Sequence, residues 1–288
     1  MKSYLKIFAA VVAVSTLAVS AQGQTLVGVQ IPGYYGGPSG PLNGGGGNGY
    51  TAGVIPQEYW NVANAATGGG DGVVSGAITN SNLIYSNNTP APTTLLTSTG
   101  GTSSATFSVT NATIERNNSN NASFPSPIWY SPGGLTDSYL VGGGAFSIGS
   151  PTTLSLSNLN ATHDYNLIAY VDTDYYFYSG ETVGVNLGST TYYLTEAGAN
   201  TLTGWTPSSD TNAGTAPLAN YVEFTGILGS TLAAENLTVT GSGSGLSGFQ
   251  LQDLGAPAPT PEPSSVWLML IGMLGLGFHF RRTRLAKV

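Results

Sequence analysis

"TTLSLSNLNATHDYNLIAYV", Thr152 to Val171, decides the fold class. Leu154 and Leu156 alternate with Ser155 and Ser157, which puts apolar side chains on one face of a strand and hydroxyls on the other. "NATHDYN" reads as a turn leading into a second strand. "DYNLIAYV" is rich in aromatic and β-branched residues, the composition of a central strand. The alternation recurs along the chain: Phe107 and Val109 with Ser108 and Thr110, Val222 and Phe224 with Tyr221 and Glu223, Leu237 and Val239 with Thr238 and Thr240, Phe249 and Leu251 with Gln250 and Gln252. "TTYYLTE" adds a second aromatic-rich strand. Turn clusters such as "VGGG", "SSDTNAG" and "GSGSG" separate these segments, and no soluble stretch keeps a helical period. The pattern predicts an all-β body, an antiparallel β-sandwich or jelly roll.

Composition narrows the partners. Only 7% of the 288 residues are charged, against roughly 25% in ordinary soluble proteins. Hydroxyl and amide side chains and 41 glycines take the place of ions. With no cysteine, neither a disulfide framework nor a thiol nucleophile is available. Between residues 7 and 280 one basic residue, Arg116, stands against fourteen acidic ones. Such a body gains nothing from phosphate counterion release, so nucleic acid is excluded as a partner, and anionic membrane surfaces repel it.

The two ends differ from the body. Lys2 and Lys6 precede an apolar stretch, Ile7 to Val19, too short to span comfortably, and small residues follow at Val19-Ser20-Ala21. Residues 1–21 read as a secretory signal peptide. At the other end, residues 264–280 carry no formal charge if His279 is neutral, the minimum length for a transmembrane helix. Arg281, Arg282, Arg284 and Lys287 follow at once, a stop-transfer cluster that keeps the basic tail, 281–288, cytoplasmic. The body is then expected outside the cytoplasm.

Pro261-Glu262-Pro263, the apolar span and the arginine-rich tail together resemble the PEP-CTERM sorting signal of exported bacterial proteins, here over residues 261–286. The resemblance implies a Gram-negative source and processing near Pro261-Glu262-Pro263 by an exosortase, a membrane-embedded transpeptidase. It also implies anchoring in the inner membrane with the body in the periplasm, then release to the outer envelope or to the exopolysaccharide matrix. Phe278-His279-Phe280 departs from the aliphatic residues usual there. The physical logic is coherent: two prolines hold the recognition site extended, the span places it at the membrane, and the arginines stop transfer.

A weaker resemblance covers the body. "TAGVIPQEYWN", Thr51 to Asn61, is similar to a segment near the start of large β-sandwich domains in secreted proteins with this kind of tail. In those a strand precedes it and a G-[IL]-x-G-[IF]-Q-like strand ends the domain. "LVGVQI" (Leu26 to Ile31) and "GLSGFQLQ" (Gly245 to Gln252) fill those places. The expected organisation is therefore one domain over 25–254, with 33–49 a glycine-rich loop inside it. A stiff proline-rich linker, 255–263, follows.

Little in the body invites catalysis. His163 is the body's only histidine, and no G-x-S-x-G elbow is present to place a serine beside it; it reads as a solvated loop residue. No catalytic residue and no resident cofactor are expected. Asp172 and Asp174, in "VDTDYYFYSGE", have a spacing that could share a calcium ion, with Asp164, Glu181 or backbone carbonyls completing an oxygen shell. Against that stands a solvated acidic turn. Tyr175, Tyr176, Tyr178 and Trp205 are the candidates for stacking on sugar rings, against the ordinary role of aromatics in core packing. The sequence thus points to an exported structural or surface protein of the envelope or matrix. A carbohydrate-binding module is the alternative, and a carbohydrate-active enzyme comes third.

Overall fold

The computed structural model describes residues 25–31, 53–57, 59–63, 72–73, 77–84, 93–110, 113–114, 151–173, 180–196, 205–241, 244–257 and 271–273. Eighteen strands are described. They are β1 (Thr25–Gln30), β2 (Trp60–Ala63), β3 (Gly72–Val73), β4 (Ile78–Thr79), β5 (Leu83–Ile84), β6 (Leu95–Leu96), β7 (Thr102–Ser103), β8 (Thr106–Thr110) and β9 (Thr113–Ile114). There follow β10 (Thr152–Ser157), β11 (Asp164–Thr173), β12 (Thr182–Leu187), β13 (Thr190–Glu196), β14 (Pro207–Ser208), β15 (Leu218–Ala219), β16 (Tyr221–Leu228), β17 (Asn236–Thr240) and β18 (Ser244–Gly255).

Two seven-stranded sheets dominate, one ordered β14-β16-β11-β18-β1-β2-β5 and the other β15-β13-β12-β17-β10-β8-β4. The chain passes repeatedly between them: β10 lies in the second sheet, β11 in the first, β12 and β13 in the second, β16 in the first, β17 in the second and β18 in the first. All these strands lie in one compact unit, residues 22–256; residues 1–21 and 257–288 form another.

Alternation builds the core. Val27, Val29, Leu167, Ala169, Val222, Phe224, Phe249 and Leu251 of the first sheet join Phe107, Val109, Leu154, Leu156, Val183, Val185, Leu194, Leu237 and Val239 of the second in one buried cluster. The rings of Phe107 and Phe249 meet edge-on across the layers at 5.7 Å, and those of Tyr192 and Phe224 pack at 5.1 Å with a tilt of 33°. Every apolar pair read from the sequence as one face of a strand lies in this cluster. "DYNLIAYV" is central, as its composition predicts, since β11 runs between β16 and β18. "TTYYLTE" forms β13, one strand in from an edge.

Two expectations need correction. The sheets are mixed rather than purely antiparallel: β1 pairs parallel with β2, β13 with β15 and β14 with β16. Parallel pairing needs a connection that carries the chain back to its starting end, and the long link between β1 and β2 does so. The second correction concerns β18. Gln250, in the polar phase of its strand, is fully buried, because residues 53–57 cover that face. Among the described residues helix is scarce: Gly229–Ala234 joins β16 to β17, burying Leu232.

The expected signal peptide (1–21) and the expected glycine-rich loop (33–49) lie outside the described residues. Of the expected span 264–280 only 271–273 are described; they are helical. Among the described residues no helix is long and apolar enough to cross a membrane.

Candidate functional site

Three features of the body could act on a partner: an aromatic cluster, a buried amide network and a cleft. The first lies on the face of the β11 sheet turned away from the shared core. Trp60, Ile168, Tyr170 and Tyr221 are buried there, with Val54, Ile55 and Trp205 packed against them. The ring of Trp205 lies 4.8 Å from Tyr170 and 6.5 Å from Tyr221, at interplanar angles of 51° and 81°. These tilted rings pack against one another as aromatic clusters do and offer no coplanar platform.

Beneath them runs the amide network. Gln250 accepts from the N–H of Ile55 (3.2 Å) and from the Tyr170 hydroxyl, and its Nε2 donates to the Ile55 carbonyl (2.7 Å) and to Gln57 Oε1 (3.0 Å). Tyr170 in turn accepts from the N–H of Val54 at 2.8 Å. Gly53 holds a φ of 96°, and a Cβ there would fall 2.7 Å from Gln250 Nε2 and 2.8 Å from Trp60 Cζ2. A Cβ on Gly28 would overlap the amide of Gln57. The "GVIPQEYW" and "GFQLQ" segments are thus two halves of one clasp, and their polar residues act on the fold. Burial holds the Tyr170 phenol far above its ordinary titration range, and that of Tyr221 is raised for the same reason.

The cleft, about 280 Å³, opens where the interlayer core ends. On β18 the core-facing phase runs Phe249, Leu251, Asp253, and on β11 Tyr165 stands opposite Asp253. Thr25 of β1 pairs with Asp253 from the other side. The last core-facing row is therefore polar, directly below the apolar row Val27, Leu251 and Leu167. His163 Nδ1 lies 2.8 and 3.0 Å from the two carboxylate oxygens of Asp253. The N–H of Gly255 also donates to Asp253, at 2.8 Å. Asn160 Oδ1 accepts from the N–H and hydroxyl of Thr162, leaving its Nδ2 facing His163 Nε2 at 2.9 Å. An amide NH₂ can only donate, so Nε2 accepts and the ring proton sits on Nδ1, shared with Asp253. The Tyr165 phenol is raised by burial and by the Asp253 carboxylate, against the N–H of Asn160 that it accepts.

The sequence reads His163 as a solvated loop residue; the structure pairs it across the fold with Asp253. The signal for this was an acid in the apolar phase of F-x-L-x-D. The other sequence candidates are less completely placed. Asp172 lies near the end of β11 opposite Gly245. Asp174, Tyr175, Tyr176 and Tyr178 lie outside the described residues, as do Pro261, Glu262, Pro263, Arg281, Arg282 and Arg284. Among the described residues no group of three or more His, Cys, Asp or Glu is gathered to hold a metal.

Comparison with known proteins identifies the C-terminal segment. The family model for the PEP-CTERM protein-sorting motif matches residues 259–282, the stretch holding Pro261-Glu262-Pro263 and the first arginines. The chain carries an exosortase sorting signal, and that signal implies an exported protein processed by an exosortase. No curated protein and no solved structure matches the chain.

Proposed function

We propose that this chain is an exported structural protein of the cell envelope or extracellular matrix, its body a β-sandwich of jelly-roll type delivered by the C-terminal signal. The observation that carries this reading is the outer face of the β10 sheet. Thr110, Thr153, Thr238, Asn186 and Thr191 form one row across five strands, and Thr79, Ser108, Ser155 and Asn236 form the next. Neither row contains a charge. Neighbours bond one another: Ser155 to Asn236 at 2.6 Å, Thr106 to Ser157 at 2.7 Å, Asn186 to Thr191 at 2.9 Å. A face held by neutral hydrogen bonds stays hydrated without ions, and salt screening, which weakens exposed ion pairs, has little to act on there. That suits a protein exposed outside the cell. The engagement of His163 Nε2 by Asn160 rather than by a hydroxyl supports a non-catalytic role.

In this reading the body lies in the periplasm while residues 264–280 anchor the chain in the inner membrane, and processing sends it to the envelope or matrix. The test is to change Pro261-Glu262-Pro263 to three alanines in the native host. Apolar length and the arginines are untouched, so insertion persists. Full-length protein should then accumulate in the membrane, where the unaltered chain appears as a shortened form. A variant shortened and distributed like the unaltered chain would overturn the proposal.

A further inference from the structure

We infer that the cleft beside His163 and Asp253 is a binding site for one pyranose ring of a neutral sugar. Its volume of about 280 Å³ lies just below the roughly 300–1,000 Å³ usual for ligand sites, which limits the occupant to one six-membered ring. Half-buried Leu159 gives it an apolar wall for the C–H face of a sugar, with the buried side chains of Val27, Ala105 and Leu251 behind. Thr25, Ser103 and Asp253 bring hydroxyl and carboxylate groups to its lining, where sugar hydroxyls both donate and accept.

The chemistry selects against other ligands. A lone carboxylate repels anions and is too few for a divalent cation, which takes six or more oxygens. His163 Nε2 is engaged by Asn160, so the ring is not presented to a metal. The walls are also set in advance. Asn158 holds a φ of 57°, the left-handed region, at the corner between β10 and β11. Its carbonyl accepts from Ser104 Oγ (3.2 Å) and its amide donates to Thr106 Oγ1 (3.2 Å). Little ordering is then needed on binding.

His163 is one of only two histidines in the chain, so it reports on the cleft directly. The full-length chain, labelled at histidine and held in a detergent without sugar head groups, would be titrated with the methyl glycosides of glucose, galactose and mannose, and with methyl glucuronide. At least one neutral glycoside should move the His163 resonance saturably in the millimolar range, and the glucuronide should act more weakly. Thr102→Trp, on the exposed rim, should reduce the response tenfold or more, with circular dichroism unchanged; Ser104→Trp serves if that variant does not fold. No shift with any neutral glycoside, a stronger response to the glucuronide, or an equal response in a folded blocked variant would each overturn the assignment.

Discussion

Replacing Gln250 by leucine tests the clasp between the "GVIPQ" segment and β18 most sharply. The change keeps size and removes every polar atom of a side chain that is fully buried. Two buried groups, the Tyr170 hydroxyl and Gln57 Oε1, lose a partner, at about 1–3 kcal/mol each. The N–H and C=O of half-buried Ile55 also lose theirs, but water can reach them, adding roughly 0.5 kcal/mol apiece. Leucine returns about 1 kcal/mol through better burial. The net loss is then about 4 kcal/mol, a large share of the 5–15 kcal/mol typical of a folded domain. Tyr170→Phe, which removes one hydroxyl and strands the Val54 N–H, should cost about 1–2 kcal/mol. The double variant should lose less than the sum of the two, because both delete the Tyr170–Gln250 bond. Urea unfolding of the full-length chain, followed by tryptophan fluorescence, reads this out, since Trp60 and Trp205 both lie against Tyr170. A Gln250→Leu loss below about 1 kcal/mol, or strict additivity, would refute the clasp.

Two further outcomes follow from the same architecture. Tyr165, Tyr170 and Tyr221 are held above their ordinary value in the folded state, so the stability they contribute is complete below the unfolded phenol value of about 10 and is lost as pH rises past it; the urea midpoint should fall in that alkaline range, less steeply in Tyr170→Phe, and a flat profile would contradict the burial of these phenols. A chain ending at residue 256 should keep a cooperative unfolding transition while one ending at residue 243, lacking β18, should have none; protease-sensitive behaviour of both would show that residues beyond 256 are needed to fold the body.

Much of the core was legible because alternation is a local signal. Phe107/Val109, Leu154/Leu156, Val222/Phe224, Leu237/Val239 and Phe249/Leu251 each announce a core face within a few residues. Two of the three parallel pairs were not, because β14 and β15 have two residues each, too short to alternate. Nor does phase reveal what covers a face. Alternation puts Gln250 on the polar face of its strand, yet a segment nearly two hundred positions earlier buries it. The unbroken apolar run "LIAYV" hinted at this, for a strand buried on both faces loses its alternation. The sorting signal was readable for the opposite reason: its meaning lies in a short linear order of proline, acid, apolar span and arginine. The His163–Asp253 pair depends on contact across 90 positions, and only the misplaced acid in F-x-L-x-D marked it.

The topology also explains how a signal can be removed without harm to the body. The last strand, β18, is not an edge but runs between β11 and β1, pairing with both. The body is therefore closed by its own C-terminal segment, and that segment ends at Gly255. The matched sorting motif begins only at residue 259, past every described strand pairing. Cleavage near Pro261-Glu262-Pro263 would break none of those pairings, so processing and stability would be separable by construction. Had the last strand overlapped the motif, each cleavage would have removed a central strand and with it the floor of the cleft, since Leu251 and Asp253 belong to β18. Thr25 stands opposite Asp253, so the chain both begins its first described strand and leaves its last one at the cleft. Whatever occupies that cleft sits beside the point where the body leads on to its signal.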